Sequence, residues 1–383
     1  MAAVTTESVA GLPWLAQRRR GVDRGVFFFE TWHGRFADSP RTIFDELTRR
    51  GFDGVCIWAA HDRSQLPAGI ETVKPGSWRY FEALGRAGTV VANTHMPPSY
   101  RPRPTVRYMQ TWHGIPMKRI GFDTPKPPAL RFPLYSAMFA RYHRGAHADI
   151  AAWTWLLSPN RSASEIFRRA FRYGGEIAEL GYPRVDPIFA ADGEQIRERE
   201  RRRFGAGDED LVILYAPTFR DRSYRFELRL DPADLDERLG ERWRLVVRAH
   251  QTLAAHVSLP THPRVCDATH DSDIVNLYQA ADVLITDYSS VMFDFALTGK
   301  PMVFFAYDLA TYRDQLRGFY FDFDATVPGP VCERSAEVAD AVADLAGVSA
   351  RYQTRYQELI DRFCYLEDGQ ASRRAADLLC AAL

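Results

Sequence analysis

Residues 273–308 read DIVNLYQAADVLITDYSSVMFDFALTGKPMVFFAYD, and this stretch decides the fold. A helical pattern (273–281) is followed by an apolar run (283–286) and a polar turn (287–290). A second helical pattern (291–297) and a second apolar run (302–305) come next. Gly299 is placed to end the second helix, and Pro301 prevents its continuation. The pattern predicts a helix–strand–turn–helix–strand unit, which is typical of a parallel sheet covered on both faces.

The polar turn of this unit, Asp287–Ser290, has two possible roles. Such a turn lies beyond the carboxyl end of a strand and opens a helix, where backbone N–H groups favour an anion. Ser289 and Ser290 add hydroxyl donors, so a phosphate group fits this position. Asp294 is four residues after Ser290 on the same helix face and is a candidate ligand for ribose hydroxyls. The same residue types also cap ordinary helices, and the turn alone does not decide between capping and nucleotide binding.

Length and charge set the outer bounds. At roughly 150 residues per domain, a chain of 383 residues is expected to form two domains. We predict an N-terminal arm (1–24), a first α/β domain (25–187), and a second α/β domain with C-terminal helices that binds the nucleotide donor (188–383). The 49 basic residues balance the 49 acidic residues, so net charge gives no reason to expect a nucleic-acid partner.

Cysteine usage and hydropathy indicate a cytoplasmic protein. The five cysteines form no C-x-x-C pair, which favours reduced thiols and argues against structural zinc. No signal peptide is recognisable, and no apolar run reaches the ~18 residues that a spanning helix needs. Because no carboxylate cluster has metal-ligand spacing either, we expect neither a metal nor a cofactor.

Strands and helices alternate in both halves of the chain. The strands predicted in the second half at 211–215, 245–247 and 283–286 each lead into polar or basic residues, namely Pro217, Thr218, Arg248, His250, Ser289 and Ser290. The carboxyl ends of parallel strands line one crevice, so these side chains should converge. In the first half, the tetrapeptide Thr-Trp-His-Gly occurs at 31–34 and again at 111–114. The flanking sequences are dissimilar, so we interpret this as coincidence and not as an internal repeat.

The segment 125–155 mixes aromatic and basic residues after several prolines. Arginines and aromatics in one helix are typical of a helix on an anionic membrane surface. A helix packed on the sheet with its arginines in solvent is an equally acceptable interpretation. His143 and His147 have the i, i+4 spacing of a zinc helix, but Arg144 stands where the glutamate of that motif would be, which favours a solvated face.

Several motifs in fixed order resemble the CDP-glycerol glycerophosphotransferase family. They are QTWHGIPMK (110–118), GYPR (181–184), APTFRD (216–221), ITDYSS (285–290), RGFY (317–320), PGP (328–330) and EDGQAS (367–372). The resemblance runs from about Val26 to Arg373. It implies a GT-B-like fold of two Rossmann-like domains facing across a cleft. It also implies a peripheral enzyme at the inner face of the cell membrane, which builds teichoic-acid or capsule polymers on lipid-linked acceptors.

Transfer of glycerol phosphate from a CDP donor requires a base for the acceptor hydroxyl and groups that hold the departing CMP. Histidine is the natural base near neutral pH. His113 follows a strand and precedes Gly114, which lets the backbone approach a substrate, and we assign His113 as the base. The alternative is a structural histidine at the sheet edge.

The remaining candidates are assigned to the donor. His250, beside Arg248, is expected to hold phosphate charge, and Arg184 and Thr218 are expected to donate hydrogen bonds to it. The chain has Gln251 after His250, where the family pattern usually has proline. Two other classes stay open: a GT-B glycosyltransferase or epimerase that uses a sugar nucleotide, and a catalytically inactive membrane-associated scaffold.

Overall fold

The structure is a computed structural model that describes residues 12–125, 133–218, 220, 225–250, 256–271, 273–313 and 318–382. The described α-helices are α1 (Leu12–Arg18), α2 (Asp38–Arg49), α3 (Trp78–Arg86), α4 (Pro133–Ile150), α5 (Arg161–Ala170), α6 (Gly193–Arg203), α7 (Pro232–Leu239), α8 (Ile274–Ala280), α9 (Val291–Ala296), α10 (Leu309–Thr311), α11 (Phe323–Thr326), α12 (Ser335–Ala343), α13 (Leu345–Phe363) and α14 (Ala371–Ala381). The described strands are β1 (Asp23–Glu30), β2 (Val55–Ala59), β3 (Glu71–Val73), β4 (Ala87–Ala92), β5 (Arg107–Gln110), β6 (Trp155–Ser158), β7 (Glu176–Glu179), β8 (Leu211–Tyr215), β9 (Phe226–Glu227), β10 (Trp243–Val247), β11 (Val257–Ser258), β12 (Val265–Asp267), β13 (Val283–Thr286), β14 (Met302–Phe305) and β15 (Val331–Cys332).

The first of two structural units comprises, in its described part, residues 12–113, 133–186 and 370–382. Its sheet has the order β3-β2-β1-β4-β5-β6-β7, and the described strand pairs are parallel. Val26, Phe27, Phe28 and Phe29 of β1 have no exposed surface, as expected for a strand covered on both faces. The strand order reverses between β1 and β4. The crevice beyond the carboxyl ends of these two strands is where open parallel sheets bind ligands.

The second unit comprises residues 114–125 and 187–369 in its described part. Its main sheet has the order β12-β10-β8-β13-β14-β15, again with parallel pairs, and β9 and β11 form a separate small sheet. Counted within the main sheet this is the order 3-2-1-4-5-6 of a doubly wound nucleotide-binding fold, with the reversal between β8 and β13. The predicted α/β class with two units of parallel strands is confirmed.

The unit boundaries differ from the predicted domains in two places. The main break falls between Asp186 and Pro187, but α14 belongs to the first unit and residues 114–125 belong to the second. Asp186 explains the position of α14, because its carboxylate accepts hydrogen bonds from the backbone N–H groups of Ala371 (3.1 Å) and Ser372 (2.7 Å). A contact over this sequence separation leaves no signal in local periodicity.

The predicted N-terminal arm is wrong over residues 12–24, since α1 and the start of β1 lie there. Gln17 of α1 is buried and donates through Nε2 to the carbonyl oxygen of Ser99 at 3.0 Å. Gly85 of α3 permits this close packing, because a Cβ atom there would lie 2.0 Å from the carbonyl oxygen of Gln17. The helix is stabilised by tertiary packing, which its mixed composition does not predict.

Helix α4 occupies most of the segment predicted to contact a membrane. Arg141 and Arg144 are exposed on it, and Arg131 lies outside the described residues. Trp153 and Trp155 are only 5% and 7% exposed, so these two aromatics belong to the core of the first unit and not to a surface patch. Among the helices that the structure describes, none is long and apolar enough to cross a bilayer.

Candidate active site

His113 lies at the carboxyl edge of the first sheet, three residues after the end of β5. Its Nδ1 atom is 2.6 Å from the carbonyl oxygen of Asn93, which follows β4. A carbonyl oxygen can only accept, so Nδ1 carries the proton and Nε2 is the basic nitrogen of the neutral ring. The ring packs against Trp112, with centroids 4.2 Å apart, and against Trp32 at 4.6 Å. The tautomer and the orientation of the imidazole are therefore both fixed.

Burial lowers the pKa of His113 to about 4, and the Asn93 carbonyl and the charge of Asp38 oppose this effect only in part. Removal from water disfavours the charged imidazolium. His113 is consequently neutral at physiological pH, which is the protonation state that a general base requires.

Arg184 is brought to the same site by the 3-10 helix Pro183–Phe189. Its guanidinium donates to the backbone carbonyl oxygen of His113 and lies 3.8 Å from the carboxylate of Asp38. The backbone N–H of Arg184 also approaches Ser39 Oγ at 3.4 Å. In this geometry Arg184 holds the loop that carries His113, and its role as a hydrogen-bond donor to phosphate stays a prediction. Gly114, the next residue after His113, is buried and is counted with the second unit.

The second unit gathers the other predicted residues at the carboxyl edge of its sheet. Three neighbouring strands, β10, β8 and β13, lead into these residues, which are Pro217, Thr218, Arg248, His250, Ser289 and Ser290. The backbone N–H of Thr218 donates to Asp287 Oδ1 at 2.8 Å, which ties the loop after β8 to the loop after β13. Lys118 Nζ is 3.4 Å from Thr218 Oγ1. Because β8 and β13 flank the strand-order reversal, this edge is the place where a doubly wound sheet binds a nucleotide.

The serine turn does not behave as a simple helix cap. Ser290 occupies the N-cap position of α9, yet its side chain makes no capping hydrogen bond. Ser289 Oγ accepts only a long bond, 3.4 Å, from the N–H of Val291. Because α9 has only six residues, its dipole is small, and the hydroxyl groups of Ser289 and Ser290 are the stronger contribution that this turn could make to a ligand.

Two predicted ligands are more buried than a direct contact with substrate would suggest. Arg248 is 8% exposed and donates through Nη1 to the carbonyl oxygen of Asp271 at 2.6 Å. Asp294 is 6% exposed, and the hydroxyl of Tyr278 lies 3.5 Å from its Oδ2. The first contact ties the loop after β10 to Asp271, and the second joins α9 to α8. Binding of phosphate by Arg248 and of ribose by Asp294 stays a prediction. His250 is partly buried at the end of the described segment 225–250.

Sequence reasoning quoted Arg220 within a motif but gave it no role. Arg220 lies among the loops at the carboxyl edge of the second sheet. Its Nε and Nη2 atoms donate to the two carboxylate oxygens of Asp308 at 2.7 and 2.9 Å. Its Nη1 atom donates to the carboxylate of Asp287 at 2.8 Å. The guanidinium also lies about 5 Å from three tyrosine rings, those of Tyr288, Tyr307 and Tyr312. Arg220 therefore holds the Asp287–Ser290 turn in place. The only sequence signal was an arginine soon after a strand end.

Asn93 was also missed, because an asparagine after a strand looks like an ordinary turn residue. It is fully buried, and its carbonyl oxygen fixes the tautomer of His113. Within the described part of the chain, no group of three or more His, Cys, Asp or Glu residues could hold a metal ion.

Comparison with known proteins identifies the family. The sequence model of the CDP-glycerol:poly(glycerophosphate) glycerophosphotransferase family matches residues 15–381 of this chain. The chain therefore belongs to this family, as the sequence motifs predict, and the GT-B-like class is confirmed by the solved structure of the wall teichoic acid polymerase TagF. That structure has a TM-score of 0.87 and 32% identity, with coverage of 97% of this chain and 92% of the other. A variant of TagF soaked with CDPG has a TM-score of 0.86 and 31% identity, over the same shares of the two chains.

Two curated relatives have the same sequence identity to this chain but differ in how much of their own length it covers. The teichoic acid poly(glycerol phosphate) polymerase of Bacillus subtilis (strain 168) is 33% identical over 94% of this chain and 49% of its own length. The teichoic acid glycerol-phosphate transferase of Staphylococcus aureus (strain NCTC 8325 / PS 47) is 33% identical over 92% of each protein. The chain thus spans about half the length of the polymerase and nearly all of the transferase.

Proposed function

We propose that this protein transfers glycerol phosphate, or a similar polyol phosphate, from a CDP-activated donor to a hydroxyl group of a lipid-linked or polymeric acceptor. The product class is a teichoic-acid or capsule-type polymer. The observation that carries the proposal is the neutral, oriented His113, whose Nε2 is left as the base by the bond between Nδ1 and Asn93. Membership of the glycerophosphotransferase family and the likeness to a polymerase soaked with CDPG support the choice of donor.

The reaction balances without a further reagent. The acceptor oxygen forms a bond to the phosphorus that carries glycerol, and its proton passes to Nε2 of His113. The bond from that phosphorus to the bridging oxygen breaks, and CMP leaves with the bridging oxygen and its electron pair. Hydrogen-bond donors that hold the phosphates stabilise the charge on the leaving group.

The donor is assigned to the second unit. Ser289, Ser290 and Thr218 offer hydroxyl groups at the strand-order reversal, and His250 follows the adjacent strand. Arg220 and Asp287 keep the two loops in register. Binding of the pyrophosphate by Arg184 or Arg248, and of the ribose by Asp294, are further parts of this proposal.

The test separates chemistry from binding in two arms. His113→Ala should lower kcat by roughly 10²–10⁴-fold with CDP-glycerol affinity unchanged, because a general base acts in the transition state. The double variant Ser289→Ala, Ser290→Ala should weaken CDP-glycerol binding in calorimetry, at roughly 1.5–3 kcal/mol for each hydrogen bond to the charged phosphate. Gln357→Ala, which changes an exposed residue of α13 outside both proposed sites, is the control. A near-native rate for His113→Ala would refute its role as base.

We also propose that the enzyme reaches its lipid-linked acceptor by peripheral binding to the inner membrane surface. Each basic residue near an anionic surface contributes about 1 kcal/mol, and this attraction is screened by salt. The exposed Arg141 and Arg144 of α4 support the proposal, and Arg131, which lies outside the described residues, is the third arginine of the segment 125–155. The variant in which Arg131, Arg141 and Arg144 are all replaced by glutamate should no longer co-sediment with anionic liposomes.

A control for the membrane experiment is available in the second unit. Arg199 and Arg202 are exposed on α6, and their replacement by glutamate reverses charge on another helix. If the α4 variant sediments as the wild type does, the contact with the membrane lies elsewhere on the protein.

A further inference from the structure

The two Thr-Trp-His-Gly tetrapeptides begin at strand ends on either side of β4. One follows β1 and the other follows β5, and the sheet order β1-β4-β5 places only β4 between these strands. Asn93, after β4, contacts both segments: its side-chain oxygen accepts the backbone N–H of Trp32 at 3.0 Å, and its carbonyl oxygen binds His113. The segment Thr31–Gly34 thus lies at the strand-order reversal of the first unit, beside the base.

Trp32 contacts the catalytic residue directly. Its ring centroid is 4.6 Å from that of His113, and its indole nitrogen donates to Asp38 Oδ2 at 3.2 Å, which fixes the ring. The side chain is only partly buried. An apolar surface therefore borders the base on the side where β1 ends.

The backbone of this segment is unusual. Trp32 has φ 45°, His33 has φ 57° and Gly34 has φ 114°. Residues with side chains rarely adopt such left-handed conformations, and when they do so the surrounding structure must hold them there. The Thr31 hydroxyl and backbone bind Arg35, and the Asn93 side chain binds Trp32. Strained residues of this kind concentrate at sites that contact ligands.

His33 is the exposed residue of the segment. Its side chain is 70% exposed, and Nδ1 lies 3.8 Å from the carboxylate of Glu30, which is buried and receives the hydroxyl of Tyr80. An imidazole that reaches solvent can donate or accept a hydrogen bond with a hydroxyl group.

Asn93 has one further unsatisfied group. Its side-chain nitrogen is buried, and no hydrogen-bond acceptor for it is found among the described residues. Such a donor requires an oxygen partner. It belongs to the same residue that contacts both tetrapeptides.

We propose that the segment Thr31–Gly34 is the acceptor-binding element: Trp32 packs against the carbon chain of the acceptor's terminal polyol unit, and His33 hydrogen-bonds a hydroxyl of that unit. The inference rests on the proposed function and names the substrate surface that this function requires. The indole of Trp32 can pack against the apolar carbon chain of a polyol, and the imidazole of His33 can hydrogen-bond one of its hydroxyl groups. His33 is a specificity residue here, since His113 takes the proton.

The experiment uses the full chain and two variants, His33→Ala and Trp32→Phe, with Gln357→Ala, an exposed residue of α13, as the control. Initial rates are measured with CDP-glycerol and a short-chain lipid-linked acceptor that ends in one glycerol phosphate. His33→Ala should raise the acceptor KM about tenfold with kcat, CDP-glycerol affinity and Tm unchanged. Trp32→Phe keeps an aromatic ring without the indole N–H, and should raise the same KM by a smaller factor.

A binding arm separates failure of this inference from failure of the proposed function. Glycerophosphoglycerol alone is titrated into each protein and followed by ligand-observed NMR, so no transfer is needed. Loss of its signal in His33→Ala supports the acceptor element even if wild type does not turn over CDP-glycerol. Equal binding by wild type and His33→Ala overturns the inference. A parallel fall of kcat, donor affinity and Tm in His33→Ala also overturns it, because that result marks a purely structural role.

Discussion

Single buried polar residues determine the chemistry available at both sheet edges. Asn93 selects the tautomer of His113 through one hydrogen bond, and Arg220 aligns the serine turn through its contacts with Asp287 and Asp308. In both cases the important partner is a backbone carbonyl or a carboxylate distant in sequence. Substitution of Arg220 is expected to have a large effect, since its buried partner Asp287 is left unsatisfied, whereas the backbone carbonyl of Asn93 persists in any variant.

The low pKa of His113 predicts the pH dependence of the reaction. Its folded pKa of about 4 lies below the ordinary 6.5, so the proposed base is mostly deprotonated at every pH above about 5. The acid limb of kcat/KM, which reports the free enzyme, should therefore fall near pH 4 and stay flat through pH 6.5. Steady-state rates between about pH 3 and pH 8 measure this. A limb near pH 6.5 would show that His113 is not shielded from water as described.

Arg220 provides a test of the second site. Arg220→Ala leaves the carboxylate of Asp287, which is 1% exposed, without its cation, and this should destabilise the fold by roughly 3–5 kcal/mol in urea unfolding. Arg220→Lys keeps the charge but loses the forked bond to Asp308, so an intermediate loss is expected. CDP-glycerol affinity should fall in both variants.

The control for this prediction is Arg238, which pairs with Asp340 on the surface of the same unit. Exposed ion pairs contribute little to stability, so Arg238→Ala should unfold at the same urea concentration as wild type. Equal midpoints for the Arg220 and Arg238 variants would contradict the proposed importance of the buried cluster.

Whole elements also depend on contacts that are distant in sequence. Helix α14 is capped by Asp186, the last residue of the first unit before the break at Pro187. Arg50, the residue that follows α2, pairs with Asp377 of α14 at 2.6 Å. The last helix thereby completes the first unit. Short strands such as β13 and β14 differ from α14 in this respect, because their own apolar sequences are sufficient to predict them.

Asp186→Ala removes the cap of α14. The loss of the hydrogen bonds to Ala371 and Ser372 should cost about 1–2 kcal/mol of unfolding free energy. Hydrogen exchange followed by mass spectrometry should show faster exchange in 371–381 and in α2, against which this helix packs. Asp186→Asn, which keeps an acceptor oxygen, should lose less. Unchanged exchange in α14 would mean that the helix is held by apolar packing alone.

For the whole molecule, the assignment of the donor to the second unit predicts where CDP-glycerol protects the chain. At 100 times its Kd, a ligand that binds only the folded state adds about 2.7 kcal/mol of stability. Hydrogen exchange with saturating CDP-glycerol should slow in the described loops after β8, β10 and β13, and CMP should reproduce much of the effect. Protection centred on residues 31–34 and 93–113 would instead assign the donor to the first unit.

The sequence predicted the elements of the fold well wherever burial is local. Strands β8, β13 and β14 have the predicted bounds, because a short apolar run between turn residues has no stable alternative to a strand buried on both faces. The sequence also predicted that Thr218, His250, Ser289 and Ser290 follow neighbouring strands at one edge of the second sheet, and their roles stay predictions. The ordered motifs predicted the family.

Only the tertiary structure decided the partners of these residues. Sequence gave no reason to connect Asp186 with α14, to bury Arg248 and Asp294, or to place Arg220 among three tyrosines. It also gave no reason to place the two Thr-Trp-His-Gly segments close together, whereas the strand order β1-β4-β5 brings Trp32 to His113. The physical reason is that periodicity reports the local backbone and the buried face, while strand order and long-range hydrogen bonds depend on how the whole sheet assembles.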